Sequence, residues 1–224
     1  MSTIAERYRR LRAEVGEEVT LVAVSKYHSV SQIAEAYAAG CRDFGESRET
    51  ELVAKADRLP SDIRWHFIGH LQRNKVGRVV PVTQLIHSVD SLRLLETIDR
   101  HAAQAGRTVD CLLQVHVAAE PTKFGFSVPE LLSIDTARLT ACGHARVAGL
   151  MAMATNTDDS RRIEADFRAA YEAFAQLQTR MGENRLRILS MGMSDDYPLA
   201  IKQHSNMVRI GSAIFGDPLP DPLT

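Results

Sequence analysis

Thr20-Leu-Val-Ala-Val-Ser-Lys26 decides the fold. It is a continuous apolar run that ends in a lysine, and a run of that length reads as a strand buried on both faces. Ser29 and Gln32 follow at the spacing of a capping box, and Gly40 closes the helix they open. Upstream, Ile4, Tyr8, Leu11 and Val15 share one helical face before Gly16 stops it.

Downstream the two periods keep alternating. Further strand candidates are Cys41–Gly45, Trp65–Gly69, Leu85–Val89, Cys111–Val117, Arg146–Ala154, Arg187–Met193 and Met207–Phe215. The clearest helix runs from about Asp159 to Met181, with Ile163, Phe167, Ala170, Tyr171, Phe174, Leu177 and Met181 on one stripe. Another begins near Asp90 and closes at Gly106. Eight apolar strands alternating with helices predict a parallel sheet covered by helices. A closed (β/α)8 TIM-type barrel is the economical form. An open doubly wound sheet is the alternative, weakened because no GxGxxG follows the first strand. One domain over residues 1–224 is expected, with residues 217–224 an extended, proline-rich tail.

Composition narrows the function. The 27 basic and 28 acidic residues leave a formal charge of -1, and basic residues cluster only in pairs such as Arg161-Arg162, which argues against a nucleic-acid partner. Three widely spaced cysteines without CxxC predict neither a disulfide framework nor a zinc site, and the eight histidines show no metal-ligand spacing, so no metal is expected. The charged start has no signal-peptide core, and no apolar run is long enough to span a membrane. A soluble cytoplasmic protein is expected.

In a barrel of this kind, chemistry gathers at the C-terminal ends of the strands. Lys26 ends the first strand, where an amine partly desolvated by apolar neighbours would attack an aldehyde; the plain alternative is a solvated strand-end lysine. Ser190-Met-Gly-Met-Ser194 ends the seventh strand, and Arg209-Ile-Gly-Ser-Ala213 lies on the eighth. Loops at those two positions form the recurrent phosphate site of such barrels, though their glycines could equally serve packing. Asp195 and Asp196 follow directly and must then point away from a bound phosphate. Arg209 sits in an apolar strand and needs either an ion-pair partner or a ligand heteroatom. Asn74 and Lys75 either reach the mouth or cap and solvate a helix. His66 alternates toward a buried position and reads as a satisfied core histidine.

Several segments occur together and in order: Val22-Ala-Val-Ser-Lys26, Phe44-Gly-Glu46, Trp65-His-Phe-Ile-Gly69, Asn74-Lys75, His87-Ser-Val-Asp90, Gly149-Leu-Met-Ala-Met153, Ser190-Met-Gly-Met-Ser194 and Val208-Arg-Ile-Gly-Ser-Ala-Ile-Phe-Gly216. In this the chain resembles the YggS/PROSC family, the pyridoxal phosphate homeostasis proteins, over nearly its whole length. The resemblance implies a barrel like the N-terminal domain of alanine racemase. It implies pyridoxal 5′-phosphate (PLP) held as a Schiff base on Lys26, with Arg209 near the pyridine nitrogen. Ser194, Gly211 and Ser212, with the backbone around Met193, would form the phosphate cradle, and Ser190 and Asn74 are further candidate cofactor contacts. Two stretches depart from the family pattern: Ser47 and Thr50 after Phe-Gly-Glu, and His116 in Gln114-Val-His116.

The resemblance implies a role in PLP homeostasis without robust catalysis, with no catalytic residue assigned. Racemization needs acid/base groups on both faces of the substrate carbon, and no second domain is expected to supply the missing one. A racemase-like enzyme of weak or narrow activity is the alternative. Candidate partners are PLP and the apo-enzymes that require it, and a monomer is expected.

Overall fold

The computed structural model describes residues 2–217; the expected tail at residues 217–224 therefore lies outside the described residues beyond Asp217. Eight parallel strands close into a barrel: β1 (Thr20–Val24), β2 (Asp43–Glu46), β3 (Arg64–Phe67), β4 (Leu85–Val89), β5 (Val109–His116), β7 (Ala145–Met153), β8 (Ile188–Ser190) and β9 (Met207–Ile210). β4 pairs with β5 and β9 with β1, which completes the ring. The open-sheet alternative is thereby excluded. A two-residue strand, β6 (Phe126–Ser127), adds to the end of β5 outside the ring. Sequence periodicity had no means of registering so short a segment.

The helices are α1 (Ile4–Val15), α2 (Val30–Ala38), α3 (Glu49–Ala56), α4 (Val76–Val79), α5 (Leu92–Gln104), α6 (Val128–Ser133), α7 (Thr136–Thr140), α8 (Ser160–Met181), α9 (Tyr197–Lys202) and α10 (Ser212–Phe215), with a 3-10 turn at Arg73–Lys75. The Ser29–Gln32 capping box opens α2 as its spacing predicts. On α8 the stripe Ile163, Phe167, Ala170, Phe174 and Leu177 is buried.

Strand alternation sorts side chains into two compartments. Leu21, Ala23, Phe44, Trp65, Phe67 and Ile86 point outward and pack under the helices. Val22, Leu85, Leu112, Ala148, Met151 and Met207 form a smaller apolar cluster inside the barrel. His66, His87, Ser190 and Arg209 are buried as well. Their strand parity places them on the inward face, so the barrel interior is partly polar.

Several strand boundaries differ from the sequence expectation, among them the strand expected to reach Met193, which stops at Ser190, and two further differences shape the site. The first strand stops at Val24, so Lys26 lies in the turn beyond it. The eighth ring strand stops at Ile210, and Ser212–Phe215 is a helical turn instead of continued strand. The run Ala213-Ile-Phe215 buries Ile214 and Phe215 equally well from one turn of helix, which is why an apolar pattern alone could not separate the two.

Candidate functional site at the barrel mouth

The turn that carries Lys26 is fixed from below. Ser25 is fully buried; its N–H donates to the Gly45 carbonyl at 2.9 Å and its hydroxyl to Glu46 Oε1 at 2.5 Å. Lys55 Nζ, on α3, donates to the Ser25 carbonyl at 2.9 Å, to Glu46 Oε1 at 2.9 Å and to Glu51 Oε2 at 2.8 Å. Glu51 Oε2 also accepts from the Tyr27 N–H at 2.8 Å. Both peptide neighbours of Lys26 are therefore tied to one buried ion cluster, and Tyr27 is held in the left-handed region at φ 65°. That conformation is costly for a bulky residue. It lets the chain turn sharply and leaves the Lys26 side chain exposed at the mouth. Of the two readings of Lys26, partly desolvated or solvated at a strand end, the exposed one matches the structure: the strand ends two residues too early to carry it into the wall.

Burial pushes the Glu46 carboxyl up to about 7, against the pull of Lys55. The second oxygens of Glu46 and Glu51 have no hydrogen-bond partner among the described residues. This cluster escaped the sequence reading because Glu51 and Lys55 stand four apart on a helix, the spacing of an ordinary solvent-facing pair.

The loops after β8 and β9 meet beside this turn. The Arg209 N–H donates to the Gly192 carbonyl at 3.0 Å, which binds one loop to the other. The Ser212 hydroxyl donates to the Ser194 hydroxyl at 3.0 Å, so two hydroxyls from different loops converge on one point. A Cβ on Gly211 would stand 3.3 Å from both Cβ and the carbonyl oxygen of Val24. Glycine thus lets the cradle close against the end of β1, two residues from Lys26. His28 stacks on Phe215 with ring centroids 4.8 Å apart, which pins α10 to the loop after Lys26. The first N–H groups of α10 have no carbonyl one turn earlier to bond.

Of the acidic pair, Asp195 lines the cavity beside this loop, and Asp196 is tied to the loop itself. Its Oδ1 accepts from the Met193 N–H at 2.6 Å, so the carboxylate folds back over its own loop. Burial raises its pKa above the ordinary aspartate value. The Met193 amide is consequently occupied, while its side chain lies exposed at the mouth. A cavity of about 440 Å³ opens beside it, lined by Met153, Thr155, Lys123 and Asp195 among others.

Arg209 lies beneath the cradle and is buried. Its Nη1 donates to the Ser190 carbonyl at 2.8 Å and the Ser190 hydroxyl at 2.6 Å, and its Nη2 to the Ala152 carbonyl at 3.1 Å. No carboxylate forms an ion pair with it among the described residues. Burial lowers its pKa to about 10, so it is protonated at neutral pH. Ser190 faces Arg209 and not the mouth. Asn74 is exposed on the 3-10 turn after β3, in a separate groove with His70, Arg73 and Asp90; the structure does not bring it into the cradle.

The family model "Alanine racemase, N-terminal domain" matches residues 1–218. The chain belongs to that family. A Helicobacter pylori member named "Pyridoxal phosphate homeostasis protein" is 37% identical over 199 residues, 88% of this chain and 87% of the relative. A Synechocystis protein of the same name is 36% identical over 217 residues, 95% of this chain and 97% of the relative. Among solved structures, family member PipY of Synechococcus elongatus, described with PLP bound, superposes with a TM-score of 0.89 at 39% identity, over 96% of this chain and 100% of that one. The alanine racemase of Corynebacterium glutamicum superposes at 0.76 with 20% identity, over 97% of this chain and 62% of the racemase, a likeness of fold alone.

Proposed function

We propose that this chain binds pyridoxal 5′-phosphate at the barrel mouth and takes part in keeping the cofactor available in the cell, without robust catalysis of its own. The observation that carries the proposal is the pairing of the Ser194 and Ser212 hydroxyls next to the turn of Lys26. An oxyanion acceptor and an amine-reactive aldehyde are the two ends of PLP, and the two features suit them. The cradle fits the phosphate: two hydroxyls meet there, and Gly211 lets its backbone approach Val24 closely. PipY, 39% identical, is described with PLP bound, which supports the same assignment here.

When bound, PLP supplies an aldehyde that condenses with an amine, and a Schiff-base linkage to Lys26 is the assignment made here. The chain's own residues then divide the work. Ser194, Ser212 and the first amides of α10 would hold the phosphate. The Lys55–Glu51–Glu46 cluster orients the Lys26 turn. Arg209, a donor with no lone pair to offer, would face the pyridine nitrogen and leave it unprotonated. A ring without that proton is a weaker electron sink, which suits holding the cofactor better than carbanion chemistry. Lys26 is exposed, as a cofactor that must leave again requires. Apo-enzymes that need PLP are the recipients proposed, from a monomeric protein in the cytoplasm; no described helix is long and apolar enough to cross a membrane.

The test is binding followed by transfer. Equilibrium dialysis should retain PLP far better than pyridoxal, and the loaded chain should reactivate an apo-enzyme that requires PLP. Robust racemization of an amino acid by the loaded chain would overturn the holding role in favour of a racemase-like enzyme.

A further inference from the structure

The barrel interior carries a row of polar contacts that runs from Arg209, beneath the proposed cofactor site, to the opposite end of the barrel. Arg209 Nη1 reaches Ser190 Oγ at 2.6 Å; Ser190 Oγ reaches His87 Nδ1 at 3.1 Å; His87 Nε2 reaches His66 Nδ1 at 2.9 Å; and His66 Nε2 reaches Asp43 Oδ1 at 3.1 Å. The row starts under the mouth and ends at the first residue of β2, at the opposite end of the barrel. A cavity of about 210 Å³ opens there, lined by Asp43, Arg64 and His66 among others. The two histidines, Ser190 and Arg209 are all buried.

The ends fix the direction of every proton between them. Arginine only donates, so the Ser190 oxygen accepts and its hydroxyl proton is free for His87 Nδ1. His87 is then protonated on Nε2 and donates to Nδ1 of His66. His66 is protonated on Nε2 and donates to Asp43. Burial, with His66 and Arg209 nearby, holds His87 well below the usual histidine range, so it is neutral. Asp43 is an acceptor only: although burial opposes it, hydrogen bonds from Arg64 and His66 bring its carboxyl down to about 2. A proton on Nδ1 of either ring would leave the Ser190 hydroxyl proton with no acceptor among the described residues.

We propose that Ser190, His87, His66 and Asp43 are positioning residues for Arg209, a one-way chain of donated hydrogen bonds that links the buried guanidinium to a carboxylate at the far end of the barrel. Asp196 is near enough to act on Arg209 but forms no ion pair with it among the described residues, and a buried charge without a paired partner is costly. Aligned hydrogen bonds in a low-dielectric interior polarise one another, so the chain carries the influence of Asp43 to the arginine. It also uses both nitrogens of each histidine, which keeps the rings from rotating and Arg209 from shifting beneath the cofactor. The plain alternative is that Asp43 serves only Arg64, whose Nε lies 2.7 Å from the same oxygen, Oδ1.

Nitrogen-15 NMR of the unloaded full chain tests the direction without any variant. The chain requires both His66 and His87 to carry their proton on Nε2; a proton on Nδ1 of either overturns it. The isosteric variant Asp43→Asn then tests the reach. The guanidinium resonances of Arg209 and the ring resonances of His87 should both move, and Asp43→Glu should restore them. A variant that loses stability while both sets stay in place would assign Asp43 to Arg64 alone and end the proposal. The last arm rests on the cofactor reading: bound PLP should leave Asp43→Asn roughly tenfold faster than the parent, the effect of weakening one hydrogen bond to a charged group. If the chain binds no PLP, that reading fails while the resonances of the unloaded protein still decide the proposal.

Discussion

Lys55 Nζ stands 2.9 Å from Glu46 Oε1, and both side chains are sealed from water beneath the turn that presents Lys26. The pair joins two neighbours of the first strand, β2 and α3, to the Ser25 carbonyl. Cutting it should be costly, because removal of one partner strands the others. Lys55→Met leaves two buried carboxyls without their cation and should lower stability by about 3–5 kcal/mol. Chemical denaturation checks the figure, and PLP capture by whatever remains folded should slow with it.

The same cluster predicts a pH dependence. Glu46 has its pKa raised by burial from 4.5 to about 7 in the folded chain. Between those values the folded state binds more protons than the unfolded one, so this group's contribution is full below about pH 4.5 and is lost as pH rises toward 7. Denaturation midpoints measured across that window should fall with rising pH, and Glu46→Gln should flatten the fall. An unchanged slope in Glu46→Gln would place the titration elsewhere.

Ser194→Ala and Ser212→Ala should each weaken PLP by roughly tenfold or more, the usual range for one hydrogen bond to a charged group. Pyridoxal, which has no phosphate, should bind the variants and the parent alike. Because the two hydroxyls touch, the double variant should lose less than the two single losses combined. Equal losses for pyridoxal would show that the substitutions disturb the mouth in general.

Gly192 holds φ 94°, and a Cβ there would stand 2.7 Å from the Ala200 Cβ and 2.8 Å from the Tyr197 Cα. Gly192→Ala should cost about 1–3 kcal/mol through the backbone strain alone. It should also push the Ser194 loop away from Ser212. Thermal melting and PLP titration of the same preparation read the two effects together.

The sequence carried the architecture because barrel strands are buried on both faces and their apolar runs stand out. It marked the segments after the last two ring strands as neighbours at the mouth, where Ser194 and Ser212 touch. It misjudged the end of the last ring strand, since Ile214 and Phe215 are apolar in a helical turn as in a strand. It left the surroundings of Lys26 undecided, because Tyr27 adopts a backbone conformation its residue type disfavours. The Lys55 cluster and the His66–His87 contact were illegible for another reason. Each joins residues from separate β/α units, and nothing local in Glu46, Glu51 or His87 distinguishes a buried partner from a solvated side chain.

The central claim is that Lys26 is the residue to which the cofactor attaches. The direct measurement is borohydride reduction of the PLP-loaded chain followed by peptide mass mapping. The account predicts a single reduced pyridoxyl group on Lys26, and no stable adduct in Lys26→Ala, whose fold should be unaffected because the side chain is exposed. A stable adduct on another lysine, or an adduct that persists in Lys26→Ala, would contradict it.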